Sequence, residues 1–294
     1  MNKLTHAAAK TVFSGVVDYA IGQVNKNPEE AYEKIIDTAE KHMKDFQTGV
    51  NWDYLRRVAC NPEYTLNRYV TSIVKDLHPN VLKTTLMNLG FEALYNGTKT
   101  IREMRKIHNC NIPWIILMDP TSACNLHCTG CWAAEYGNKL NLSFEDMDSI
   151  VTQGKELGVY FYMMTGGEPM VRKKDIIELC RKHNDCVFFA YTNGTLVDEA
   201  LCKQMQEVGN LFLGLSVEGE PDVNDMRRGN GVYNKVMHAM DLLKSTDLYL
   251  VLLSATQAQT TRVLPVKSSS RCSSTKDAVT LCIPLYAGWK RSFR

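Results

Sequence analysis

Three cysteines fall within eight residues, in the run Cys124-Asn-Leu-His-Cys128-Thr-Gly-Cys131. Thiolates are soft ligands, suited to zinc or to iron–sulfur clusters. A structural zinc site is closed by four ligands, and the only local fourth is His127, wedged between two cysteines in a tight loop. A [4Fe–4S] centre that merely carries electrons also takes four cysteines. A cluster held by three leaves one iron open to a cofactor or substrate, and that open position is a chemical function. Three further polar motifs follow: Thr165-Gly166-Gly167-Glu168-Pro169, Thr192-Asn193-Gly194 and Ser216-Val217-Glu218-Gly219. Glycines of this kind let backbone approach a ligand that side chains would obstruct.

The elements that must position these residues begin at Trp114, where strand and helix patterns start to alternate. Apolar strands are expected over 114–118, 160–164, 187–191, 211–217 and 248–254. Between them Ser143 caps a helix with an inner face of Met147, Ile150, Val151 and Leu157, which Gly158 ends. Further helices are expected over 175–183, 198–208 (stopped by Gly209) and 232–244. Strand–helix units recurring in this way imply a parallel sheet, open or closed into a partial barrel. Ligand sites of such sheets lie beyond the carboxyl ends of the strands. The four motifs follow the first four strands, so all fall on that one side.

Ahead of this region, up to about residue 110, the periodicity is helical. Val12, Phe13, Val16, Val17, Ala20, Ile21 and Val24 recur at the spacing of one helix face. Asn27-Pro28-Glu29-Glu30 reads as a helix start: a cap, a first-turn proline, and acids at the positive end of the dipole. Tyr32, Ile35, Ile36 and Ala39 supply its buried stripe. The same grammar recurs at Asn61-Pro62-Glu63, followed by Leu66, Tyr69, Val70, Ile73 and Leu77. Four to six helices are expected, as a packing or docking region without chemistry of its own.

The Cys-x-x-x-Cys-x-x-Cys loop after a first strand and Gly-Gly-Glu-Pro after a second, in that order, resemble the radical S-adenosylmethionine (radical SAM) superfamily. The resemblance runs over about 112–247. It implies an α/β fold, a partial (β/α)6 barrel, incomplete here and preceded by an all-α N-terminal region. It also implies a [4Fe–4S] cluster on Cys124, Cys128 and Cys131, with S-adenosyl-L-methionine at the open iron. By the same resemblance Gly166, Gly167 and Glu168 hold the amino group of the cofactor, while Ser216 and Glu218 bind its ribose hydroxyls. Asp225-Met-Arg-Arg228-Gly229 is similar to an element whose arginine pairs with the cofactor carboxylate, with Arg228 favoured over Arg227. Asn193 either faces the cofactor or stabilises a turn. The family often has an aromatic residue before the third cysteine, against adenine. Gly130 stands there in this chain, and Trp132, after the cysteine, is the candidate to replace it. The implied partners are a small-molecule or peptide substrate and a low-potential electron donor such as a flavodoxin or ferredoxin. The prefix and cysteine loop look like branches acting on haem precursors, peptides and hopanoids, which share no substrate.

Cys180 and Cys202 sit in amphipathic helices and read as small buried residues. Cys60, Cys110 and Cys186 lack ligand-like neighbours, and Cys272 with Cys282 is only a weak pair. The formal net charge of +2 gives no electrostatic reason to expect nucleic acid or an anionic membrane. The N-terminal apolar stretch is broken by Lys10, Ser14 and Asp18, so neither a secretory signal nor a membrane span is expected, and the default location is a reducing cytoplasm. After Asp247 the character changes: Asp277 is the only acid left, serines cluster over 268–274, and no three-turn amphipathic helix can be drawn. The expected division is therefore a helical region over 1–110, a barrel core over 111–255, and an atypical tail over 256–294, disordered or out of frame. Two alternatives to a working enzyme stay open: a truncated inactive fragment, or a non-enzymatic iron–sulfur electron-transfer or interaction protein.

Overall fold

The computed structural model describes residues 3–24, 26–43, 50–248, 250–256 and 278–284. The prefix folds as α1 (Lys3–Val24), α2 (Pro28–Met43), α3 (Trp52–Ala59) and α4 (Thr65–Asp76), followed by one long rod. In that rod α5 (Pro79–Thr85) passes into a π-helical segment, Leu86–Gly97, and on into α6 (Thr98–His108). Asn27 caps α2 as its sequence implies, its Oδ1 accepting the Glu30 N–H at 3.5 Å. Asn61 acts differently. Its side chain accepts the Glu63 N–H at 2.9 Å and its carbonyl the Tyr64 N–H at 3.1 Å, closing a turn. The helix therefore starts at Thr65, because an asparagine serves a local turn as readily as a cap.

The rod belongs to the barrel as much as to the prefix. Val81 and Ile101 are buried in the same core as Ile112, Tyr162 and Phe188, whereas Val17, Met87 and Phe91 form a smaller cluster of their own. Asn88, Glu92 and Asn96 make a buried polar seam along the π segment. Asn88 donates from Nδ2 to the carbonyls of Asn184 and Cys186 at 2.8 and 2.9 Å, and Asn96 to Tyr160 Oη at 3.3 Å. Glu92 pairs with Lys10 at 2.7 Å and contacts His6 at 3.0 Å, which fastens α1 to the rod. Tyr160 and Cys186 directly precede two strands, so the rod sits at the amino end of the sheet, opposite the motifs.

Among the described residues the sheet has six parallel strands in sequential order: β1 (Ile115–Thr121), β2 (Phe161–Gly166), β3 (Val187–Thr192), β4 (Leu211–Ser216), β5 (Leu250–Thr256) and β6 (Ala278–Pro284). Between them lie α7 (Phe144–Glu156), α8 (Lys173–Lys182), α9 (Glu199–Val208), α10 (Pro221–Arg228) and α11 (Val232–Ser245). Sequential order with right-handed crossovers puts every covering helix on the same face. Tyr162, Met164, Phe188, Ala190, Leu213 and Leu215 are buried beneath them. Tyr162 shows the fit, its hydroxyl bonding to the carbonyls of Val151 and Val159 at 3.0 and 2.9 Å. Alternation along the strands gives the opposite face to Leu117, Asp119, Met163, Thr165, Phe189 and Tyr191.

Local signals set several helix ends as expected. Ser143 and Asp146 form a capping box on α7, Asp198 accepts the Leu201 N–H at 2.8 Å at the start of α9, and Gly209 ends α9 at φ 71°. Two elements were not foreseen. Glu220 and Pro221 start α10, which carries Asp225, Arg227 and Arg228. In the tail, expected to be disordered or out of frame, Ala278–Pro284 pairs in parallel with β5 along its whole length. The segment Ala-Val-Thr-Leu-Cys-Ile-Pro is apolar and β-branched enough to pair despite its polar surroundings. Residues 257–277 and 285–294, and with them Cys272, lie outside the described residues. Among the described residues no helix is long and apolar enough to cross a membrane.

The rod meets the sheet through two bare backbones. A Cβ on Gly97 would lie 2.5 Å from the Gly158 carbonyl oxygen, and one on Gly158 would lie 2.7 Å from that of Gly97. Gly158 also has φ +92°, which side-chain-bearing residues rarely adopt. Gly158→Ala should cost about 1–3 kcal/mol in denaturant unfolding by overpacking this contact. Gly15→Ala, in α1 with nothing within 4 Å of the added carbon, should be neutral or slightly stabilising.

Candidate cofactor site

The site starts from the loop that leaves β1. The Cys124, Cys128 and Cys131 side chains are half-buried within it, while His127 is exposed. The loop is held first by itself: Leu126 N–H points at Cys124 Sγ at 3.4 Å, and Cys131 N–H donates to the Cys128 carbonyl at 3.2 Å. Gly130, at φ 69°, makes the turn between those two cysteines. Burial pushes the Cys124 and Cys128 thiols up, and for Cys128 the nearby Arg228 guanidinium opposes the effect. Among the described residues no three His, Cys, Asp or Glu side chains converge closely enough to hold a single metal ion.

The loop after β2 is zipped onto the entry of the cysteine loop. Gly167 N–H donates to the Thr121 carbonyl at 2.9 Å and Glu168 N–H to that of Ala123 at 2.8 Å. A Cβ on Gly167 would lie 2.2 Å from the Ala123 carbonyl oxygen, so the chain's own backbone claims the space the glycine leaves. Glu168 is 1% exposed. Its Oε1 accepts the Thr192 hydroxyl at 2.6 Å and the Met170 N–H at 2.9 Å, and its Oε2 accepts the Asn193 N–H at 2.7 Å. Burial pushes this carboxyl up, and the three donors oppose it. Both oxygens are committed to joining the β2 and β3 loops.

Asn193 lies on the other side of that join. Its Nδ2 donates to Asn125 Oδ1 at 2.9 Å and lies 4.0 Å from Cys124 Sγ, while its Oδ1 accepts the N–H and hydroxyl of Thr195 at 2.9 and 2.7 Å. It therefore stabilises its own turn and touches the cysteine loop at once. Glu218 is fully buried, and both Arg227 and Arg228 donate to its Oε1, Arg228 from Nη2 at 2.6 Å. Glu218 Oε2 and Arg227 Nε are buried without a hydrogen-bond partner. Asp225 caps α11 by accepting the N–H groups of Gly231 and Tyr233 at 2.6 and 2.7 Å. Arg227 adds a backbone tie, its carbonyl accepting the Thr129 N–H at 2.8 Å.

The expected residues thus gather around one loop. Cys124, Glu168 and Asn193 share one side of it, and Cys128, Glu218 and Arg228 the other. Ser216 ends β4 beside this group. Trp132 opens a short 3-10 turn, Trp132–Tyr136, is 54% exposed, and stands edge-on to Tyr136 with ring centres 5.9 Å apart. Asn125, Thr192 and Thr195 complete the network and were not singled out from the sequence. Only folding reveals their partners: Thr192 meets Glu168, 24 positions away, and Asn125 meets Asn193 and Thr195, 68 and 70 positions away. Cys180 and Cys202 are buried in helices α8 and α9, as their spacing implies.

Residues 118–253 match the sequence pattern of the Radical SAM superfamily, over the strands and loops that build this network. Residues 118–253 form a radical SAM domain. The chain is 28% identical over 158 residues to the Fe-coproporphyrin III synthase of Methanosarcina barkeri, covering 51% of this chain and 39% of that protein. It is 30% identical over 172 residues to the cysteine-type anaerobic sulfatase-maturating enzyme of Clostridium perfringens, covering 51% and 46%. The solved structure of His6-tagged anSMEcpe with bound AdoMet superposes with a TM-score of 0.50 at 27% identity, covering 58% of this chain and 51% of that one. The chain spans under half the length of these two curated relatives. The radical SAM superfamily uses a [4Fe–4S] cluster and S-adenosylmethionine. The residues present fit both: three thiols without a fourth, and an unpartnered buried acceptor, Glu218 Oε2, beside them.

The triad of Glu218 with two arginines is a stability element in its own right. Glu218→Gln should leave two largely buried guanidinium groups without a counter-charge and cost about 3–5 kcal/mol. The midpoint of denaturant unfolding measures this, and Met226→Ser, on the exposed side of α10, should stay within about 0.5 kcal/mol of the parent.

Proposed function

We propose that the chain is a radical SAM enzyme whose Cys124, Cys128 and Cys131 hold the [4Fe–4S] cluster. The observation that carries this reading is the three-cysteine loop at the carboxyl end of β1, tied by hydrogen bonds to the loops after β2, β3 and β4. When bound, the cluster and S-adenosylmethionine supply one-electron cleavage of a sulfur–carbon bond, which starts radical chemistry on a substrate. The protein's part is to place and shield. Gly166 and Gly167 bring bare backbone to the cofactor's amino end, and Glu168 holds that backbone from below. Asn193 keeps the cysteine loop against the β3 turn. Glu218 Oε2 accepts from a ribose hydroxyl with Ser216 beside it, and Arg228 meets the cofactor carboxylate while Glu218 orients it. Trp132 covers adenine.

The substrate in this reading is a small molecule or a peptide, in keeping with relatives named for an iron porphyrin product and for sulfatase maturation. The electron comes from a low-potential flavodoxin or ferredoxin. A reducing cytoplasm keeps such thiols available. Residues 1–110 serve as the packing region and 111–255 as the catalytic core.

Anaerobic reconstitution of the full chain should yield about four iron and four sulfide per chain, with an EPR signal that changes when S-adenosylmethionine is added. Ala at any one of Cys124, Cys128 or Cys131 should abolish assembly, whereas Cys180→Ala and Cys202→Ala should retain it. Stoichiometric zinc on the cysteine loop, with no cluster formed, would remove the reading.

A further inference from the structure

Most of the motif side chains are spent on one another, but a carboxyl and a phenol hydroxyl on the helix-free face of the sheet are not. Asp119 is exposed on β1, and among the described residues its carboxyl has no charged or hydrogen-bonding partner. It reaches its position through a bulge. β1 pairs with β2 as far as Met118 opposite Met164, then slips so that Thr121 lies opposite Gly166. Such irregularities re-aim a side chain. Here the side chain packs into space that Gly166 leaves, since a Cβ there would lie 3.0 Å from Asp119 Cβ and 3.3 Å from its Cγ. The carboxylate therefore abuts the motif proposed to hold the cofactor's amino end.

Tyr191 shares that face two strands away. It lies opposite Gly214 on β4, so no side chain from that neighbour covers it, and its ring meets Phe189 edge-on at 5.0 Å. Its hydroxyl, like the Asp119 carboxyl, is partly desolvated with no partner to offset the cost. One layer toward the amino end, Leu117, Met163, Phe189 and Phe212 are in register across four strands and form an apolar floor. Leu117 is 59% exposed, so the floor is open at that edge. A partnerless acceptor above an apolar floor favours a ligand that brings a donor or a positive charge on a hydrocarbon body.

We propose that Asp119 and Tyr191 form a substrate subsite that takes a protonated amine carried on an apolar group. This rests on the enzymatic reading above for the word substrate. Asp119 receives the ammonium, Tyr191 adds a hydroxyl contact, and Leu117, Met163 and Phe189 take the apolar body. The amine end is thereby held next to Gly166, at the mouth of the proposed cofactor site. The subsite sets orientation and specificity.

The test uses the reconstituted full chain and two probes of equal length, 4-phenylbutylamine and 4-phenylbutanoate, titrated by calorimetry. The wild type should bind the amine at least tenfold more tightly than the carboxylate. Asp119→Asn should abolish that preference, and Tyr191→Phe should weaken amine binding about threefold. Val12→Ser, on α1, should change neither. Equal binding of the two probes by the wild type, no binding of either, or a preference that survives in both subsite variants would overturn the proposal. Iron is assayed in the same samples. Normal iron without amine preference removes the subsite alone, whereas amine preference without iron removes the enzymatic reading and leaves an amine-binding site.

Discussion

A single buried carboxylate holds the working end of this domain together. Glu168 is buried and receives a hydroxyl and two backbone N–H groups. Each donor comes from a turn that would otherwise leave a polar group unpaired in the interior, where an unmade hydrogen bond costs about 1–3 kcal/mol. The loop after β2 is thereby fixed to the loop after β3, and the cysteine loop is fixed to both through Ala123 and Asn125. A site that must present three thiols at set positions needs its supporting groups locked by bonds of their own. The loops here are locked before any cofactor contact is counted.

That constraint separates two kinds of polar residue. Glu168, Asn193, Asp225 and Glu218 are buried or bonded within the chain, and what they offer a ligand is mostly the backbone and arginines they hold. Asp119, Thr165 and Tyr191 lie on the other face of the sheet with their functional groups uncommitted. The division follows from topology: sequential strand order sends every helix to one side, so the remaining side belongs to whatever the domain binds.

Much of this was legible in the chain. The Ser143 cap and the Gly209 stop are local signals, and the helix ends they announce are present. What local reading missed needed partners from afar. The bonds of Glu168 to Thr192 and the Asn193 N–H lie beyond a local reading, since those partners stand 24 and 25 residues on. Asp119 was passed over since it stands before Pro120 and reads as the end of a strand, whereas the bulge keeps it in the sheet. Helix α10 hid inside a motif whose residues were weighed only as ligands. β6 was hidden by basic, serine-rich surroundings that say nothing of how seven apolar and β-branched residues pair once a strand edge is available.

The π segment of the rod sets a phase between two contacts that cannot both be met by a uniform α-helix. Before it, Val81 packs into the barrel core and Asn80 caps the end of α9 by donating to the Gln206 and Glu207 carbonyls. After it, Ile101 must enter the same core and Gly97 must touch Gly158. A π turn spends more residues than the 3.6 of an α-helix, so the same residues wound regularly would swing everything beyond the segment. Ile101 would leave the core, and the chain would enter β1 from another side. The wider turn is a gear ratio built into the backbone, matching the prefix on one end to the first strand on the other.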